Sequence, residues 1–111
     1  MAESSPSARL VLTTAANPDE ARRLARTLVS ERLAACATLV SMVESIYHWE
    51  GKLEAASETL LLLKTGAHLI EALEARLTAL HSYQTPEFLV LPIETGSAPY
   101  LQWMAANLLR D

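Results

Sequence analysis

From Thr38 to Leu63 the chain reads TLVSMVESIYHWEGKLEAASETLLLL, two apolar, β-leaning arms joined at one break. Gly51 is the only glycine of this stretch, and a chain reversal needs a residue that tolerates positive φ. The pattern predicts one long β-hairpin, Thr38 to Trp49 and Lys52 to Leu63, turning at Gly51. Glu50 suits a two-residue type I′ turn poorly. A type I turn over Trp49 and Glu50, with Gly51 left-handed in a G1 bulge, is therefore expected. Each arm would run about 40 Å at ~3.3 Å per residue, whereas a compact domain of this length is only about 34 Å across. The hairpin should overhang its own domain and carry Tyr47, His48 and Trp49 into water unless another chain covers them.

With a period of two, one phase of the first arm holds Leu39, Val43, Tyr47 and Trp49, and the other Val40, Met42 and Ile46. Neither phase is polar, and Leu60 to Leu63 does not alternate at all. A half-exposed antiparallel strand alternates. Both faces are therefore expected to be covered, one by this chain's helices and the other by a second copy, which predicts an oligomer.

Before the hairpin, Arg9 to Thr14 is a short apolar run that reads as a strand. Asn17-Pro18-Asp19-Glu20 is a helix start, with Asn as N-cap, Pro at the first helical position and Glu three residues after the cap. Ala21, Leu24, Ala25, Leu28 and Val29 then give an apolar helical stripe, with Arg22, Arg23 and Arg26 on the solvated side. After the hairpin, Leu69, Ile70, Leu73, Leu77 and Leu80 predict a helix over Ala67 to His81, which must stop before Pro86. Phe88 to Ile93 reads as a further strand, placed at a sheet edge by Pro92. Ser97 and Pro99 open a last helix carrying Leu101, Met104, Ala105 and Leu108. The order β α β β α β plus a terminal helix predicts an α+β, ferredoxin-like sandwich with its helices on one sheet face.

Half of the 111 positions are apolar, enough for one domain with its own core. The expected layout is an N-terminal segment, 1–8, without structure, then a single domain over 9–111. Nine Lys and Arg against thirteen Asp and Glu leave a net charge of −4, which offers no electrostatic footprint for nucleic acid or an anionic membrane. No apolar run approaches the ~20 residues of a membrane span. MAESSPSARL lacks the basic and apolar regions of a secretory signal, and a single cysteine allows no intrachain disulfide. A cytoplasmic location is expected.

Several chemistries are absent as motifs. The three glycines are too far apart for a phosphate-cradling loop, and there is no C-x-x-C, H-E-x-x-H or G-x-S-x-G pattern. Cys36, among Ala34, Ala35 and Ala37, reads either as a small buried hydrophobe or as a soft-metal ligand suited to Cu(I) or Zn(II). His48 and His68 are expected in solvent. His81, ending its helix, reads as a partner of the helix C-terminus or as a ligand. Glu54 and Glu58 share a strand face but stand about 13 Å apart, too far for a catalytic pair. The segment His81-Ser82-Tyr83-Gln84-Thr85-Pro86-Glu87 concentrates more polar chemistry than a connector needs. If it met a neighbour's Tyr47-His48-Trp49 tip, an inter-subunit cleft lined by Tyr47, Trp49, Tyr83, Gln84 and Glu87 would result.

Four ordered motifs, Glu31-Arg32-Leu33-Ala34-Ala35-Cys36-Ala37, Tyr47-His48-Trp49-Glu50-Gly51-Lys52, Tyr83-Gln84-Thr85-Pro86-Glu87 and Tyr100-Leu101-x-Trp103, resemble the CutA divalent-cation-tolerance family from about Leu10 to Leu108. The resemblance implies a ferredoxin-like homotrimer built around the long hairpin, similar in architecture to PII-type nitrogen signalling proteins. It implies tolerance of copper and other divalent metals and no enzymatic reaction. In the family, copper binding is attributed to a strand cysteine and a His-His pair before Pro-Tyr. This chain has Thr13 at the cysteine position, Leu80 and His81 for the pair and Ser82 for the proline, so only His81 persists, and a site using Cys36 would be a different one. The expected activity is a non-catalytic, trimeric metal-tolerance protein with no obligatory cofactor, binding copper, another divalent cation or a small molecule in its clefts. A PII-like small-molecule sensor or interaction scaffold is the alternative. A small trimeric enzyme is a third reading, weakened by Ala2 where a tautomerase needs an N-terminal proline.

Overall fold

The computed structural model describes residues 7–110 and the backbone of residues 2–4. In chain order its elements are β1 (Ala2–Ser4), β2 (Ala8–Ala15), α1 (Pro18–Ser30), β3 (Cys36–Trp49), β4 (Lys52–Gly66), α2 (Ile70–Leu80, entered through a 3-10 turn at Ala67–Leu69), β5 (Leu89–Pro92), β6 (Thr95–Ser97) and α3 (Ala98–Ala106). Four strands form an antiparallel sheet in the order β3-β4-β2-β5. This is the expected ferredoxin-like α+β arrangement, and β5, with Pro92, lies at an edge. The ladder of β1 on β6 was not foreseen. Of the first eight residues, expected to lack structure, Met1, Ser5 and Pro6 lie outside the described residues, Ala2–Ser4 is the strand β1, and Ala8 opens β2.

The two sheet faces differ in cover. Val11, Thr13, Thr59, Leu61, Leu63 and Thr65 are fully buried, while Leu10, Leu12, Leu60 and Leu62, which alternate with them, are only half-buried. The helices therefore sit on the first set, and the second set forms an open face. α1 starts as expected. The Asn17 side chain accepts the Glu20 N–H at 2.8 Å, and Ala21, Leu24, Ala25 and Leu28 are buried along the stripe. Glu20 is buried with them, because positions 20, 24 and 28 fall on one helix face.

The hairpin is longer than expected, fourteen residues in β3 and fifteen in β4, and stretches the molecule to 46 × 25 × 21 Å. Near its tip Ile46, Trp49 and Leu53 are 64, 62 and 69% exposed. The turn corrects the sequence reading. Trp49 pairs directly with Lys52, and the two residues between them, Glu50 and Gly51, have φ of +50° and +78°. Two consecutive left-handed residues in a two-residue loop make a type I′ turn, whose twist matches that of the strands. Glu50 therefore bears the left-handed strain that a β-carbon imposes. Glu50→Asn is expected to raise stability by up to about 1 kcal/mol, read as a higher denaturant midpoint, and a midpoint unchanged or lowered would contradict the assignment.

A second irregularity changes which residues share a face. Val40 pairs with Leu60 and Val43 with Glu58, so Ser41 and Met42 together oppose Thr59, and Met42 has φ +61°. This is a β-bulge, and a bulge shifts the phase of everything beyond it. Leu39 lies on the helix side with Leu61, but Val43, Ser45, Tyr47 and Trp49 lie on the open face with Glu58. Ile46 and Leu53 extend the helix side past the end of the helices. The two unbroken phases read from the sequence were wrong for this reason.

Candidate functional site

A polar junction forms where the end of β2, the start of α1, the stem of the hairpin and the loop after α2 meet. Its centre is His81, which is buried. Its Nε2 donates to the Thr14 carbonyl at 2.7 Å, and its Nδ1 accepts the Tyr83 N–H at 3.0 Å. Those partners define the Nε2–H tautomer of a neutral ring. The imidazole does not turn back to the end of α2, as one sequence reading had it; only its backbone N–H does, bonding to the Leu77 carbonyl.

Glu20 holds the other side of the junction. One carboxylate oxygen accepts the Ala16 N–H at 3.3 Å and the Ser82 hydroxyl at 2.9 Å. The other accepts the Ser82 N–H at 2.8 Å and lies 3.8 Å from His81 Nδ1. Burial pushes the Glu20 carboxyl up, but these hydrogen bonds more than offset it and hold it below the usual carboxylate value.

On the open face Tyr83 donates its hydroxyl to Glu58 at 2.7 Å. Burial raises the Glu58 carboxyl, and hydrogen bonds from Ser45, Tyr83 and Thr14 override it and leave it lowered. Burial and the Glu58 hydrogen bond and charge push the Tyr83 phenol up, with smaller contributions from Glu20 and Tyr47. Glu87 is also raised, by burial and by the Glu58 charge. The sign of the resulting pH dependence follows by linkage. Glu20 and Glu58, lowered in the folded state, contribute stability that is present above the unfolded carboxylate value of about 4.3 and is lost as pH falls through their folded values. Glu87 opposes them weakly. Tyr83, raised, contributes stability that is present below about pH 10 and is lost as pH rises through its folded value. Melting temperature is expected to fall steeply below about pH 4 and again on the alkaline side, with Glu58→Gln flattening both edges. A profile flat to pH 3 would contradict this coupling.

The structure brings together only part of the expected site. Tyr83 and Glu87 gather at Glu58 on this chain's own hairpin stem, and Tyr47, opposite Glu54, is near enough to Tyr83 to act on its phenol. Gln84 is exposed beside them. Trp49 stands opposite Lys52, six residues along β4 from Glu58, on the order of 20 Å away. Within one chain it cannot wall the same cleft. Cys36 is half-buried rather than sealed among its alanines. Its Sγ accepts from the Lys64 ammonium at 3.6 Å, and its hydrogen bond and charge add to the burial that raises the Tyr100 phenol. His48 and His68 are exposed, as expected, and His68 Nε2 donates to the Leu109 carbonyl at 2.7 Å. Glu20, Thr14 and Ser45 were missed. For Glu20 the signal was present, since a carboxylate in register with Leu24 and Leu28 must be buried.

The donor atoms of His81 and Cys36 suit a shared metal ion poorly. An imidazole ligates through a free nitrogen lone pair, and both His81 nitrogens are committed to backbone groups. Cys36 lies opposite Lys64 and Thr14 opposite Leu60, about 13 Å apart along β4, so the thiol and the imidazole do not converge. Among the described residues no group of three or more His, Cys, Asp or Glu could hold a metal ion. Thr13, at the position of the family's cysteine, is fully buried, and its hydroxyl has no hydrogen-bond partner. The copper site implied by the resemblance does not fit within this chain.

A profile described as CutA1 divalent ion tolerance protein matches residues 9–107. This chain belongs to that family. It is 47% identical over 103 residues to the divalent-cation tolerance protein CutA of Citrobacter koseri, covering 93% of this chain and 90% of that protein. It is 42% identical over 95 residues, 86% of its length, to the chloroplastic protein CutA 1 of Oryza sativa subsp. japonica, of which those residues are 54%. The chain thus spans about half the length of the plant CutA proteins it matches. The solved divalent cation tolerance protein (Cut A1) of Thermus thermophilus superposes with a TM-score of 0.89 at 42% identity, covering 91% of this chain and 98% of that one. Among the described residues no helix is long and apolar enough to cross a membrane.

Proposed function

We propose that this CutA family member is a non-catalytic cytoplasmic homotrimer serving divalent metal ion tolerance, copper included, and that its clefts lie between subunits. The observation that carries the reading is the bare hairpin. Ile46 and Leu53 beyond the helices, and Val40, Tyr47 and Trp49 on the open face, are each at least 41% exposed in the single chain, more contiguous apolar surface than a lone soluble domain presents. A neighbour's tip laid on the open face would bring its Trp49 to the Tyr83, Gln84 and Glu87 loop of this chain and complete the cleft. Calorimetric titration of the assembled protein with Cu(II), together with growth of a deletion strain under copper stress, tests the metal part. Saturable binding and copper sensitivity are expected, and neither appearing would remove it.

A PII-like sensor of a small molecule in the same clefts is the second reading, and the committed nitrogens of His81 favour it. A ligand that binds only the folded form raises the melting temperature by mass action. A thermal-shift screen of metabolites against Cu(II) separates the two readings by which of them moves the transition.

A further inference from the structure

Beside the first residues of β3, on the helix side, the domain carries a groove of about 540 Å³ that shares no residue with the His81 junction. Ala25, Ala35 and Ala37 line it with small side chains, α1 contributes Arg26, and α3 contributes Trp103. Trp103 is 44% exposed and rests at a tilt on Tyr100, ring centroids 5.4 Å apart, so a neighbour holds the indole while leaving part of it open. Arg26 is exposed and has no ion-pair partner among the described residues, whereas Arg22 and Arg76 are paired with Asp19 and Glu31. On a chain of net charge −4, an unpaired guanidinium beside an apolar slot is a local preference for an anion.

We propose that this groove binds a small aromatic carboxylate, its ring packed on Trp103 over the alanines and its carboxylate on Arg26. Ring and indole take the offset contact that aromatic pairs prefer, and the planar guanidinium matches a carboxylate with two parallel hydrogen bonds. The alanines matter because a larger side chain at any of the three positions would fill the slot. The groove shares no residue with the cleft of Tyr47, Trp49, Tyr83, Gln84 and Glu87 proposed above.

The test uses the full chain in its native assembly, with 3-phenylpropionate as probe and 3-phenylpropanamide as its neutral counterpart. Calorimetry on that assembly reads the binding of each. The acid is expected to bind in about the millimolar range. The amide should bind roughly fivefold more weakly, the most an exposed ion pair contributes. Arg26→Gln should bring the acid down to the level of the amide with the circular dichroism spectrum unchanged, and Arg26→Lys should restore part of the difference. No saturable binding of the acid, equal affinity for acid and amide, or an Arg26→Gln variant that binds as before would each overturn the proposal. So would acid binding that appears only when the protein is diluted, since a second copy would then occupy the groove.

Discussion

Trp49→Ala is expected to loosen the assembly by about 2 kcal/mol at each tip, roughly 30-fold per contact, the cost of truncating a buried interface aromatic. The indole is 62% exposed in the single chain and sits one residue before the turn, where no other part of its own chain reaches. Its value to the fold of one subunit is therefore small, and its value to assembly large. Sedimentation velocity at falling protein concentration should show the variant dissociating where the parent does not, with secondary structure intact. A variant that stays assembled over the same range would remove the tip from the interface. Ile46→Asp should act in the same direction, because a carboxylate on that apolar flank cannot be desolvated without a partner.

Glu20→Ala is expected to cost about 2–4 kcal/mol of stability, the largest single-site effect outside the leucine core. Its carboxylate accepts the N–H groups of Ala16 and Ser82 and the Ser82 hydroxyl, and alanine leaves all three without that acceptor. The loss also frees the loop that carries Tyr83 from the start of α1. Ser82→Ala, which removes only the hydroxyl, should cost about 1 kcal/mol, and Glu20→Gln should fall between the two. Chemical denaturation at fixed protein concentration measures the series. Equal stabilities for all three variants would show that the junction is not a unit.

Much of the fold could be read from local pattern. The hairpin and its glycine, the Asn17-Pro18 helix start and the edge position forced by Pro92 each follow from a few adjacent residues, and each is present. What failed was register within the hairpin. A bulge at Ser41 and Met42 inserts one residue without any glycine to mark it, and the strain at Glu50 contradicts the residue's own preference. Tertiary pairing of two long strands overrides both.

The candidate site was legible only as a list. Tyr83, Glu87 and His81 stood out by composition of one loop, but their partners Thr14, Glu20 and Glu58 lie 25 to 67 positions away, a separation that periodicity does not address. The Cys36 reading failed differently. Alanine neighbours suggested burial, yet the residue opens β3 at the sheet edge, where Lys64 and Tyr100 approach the thiol.

Subunits that shelter one another's hairpins must travel together, and the mass of the particle in solution tests this most directly. Sedimentation equilibrium of the unmodified chain at micromolar concentration should return three times 12.1 kDa. A well-folded species at the mass of one chain would contradict it.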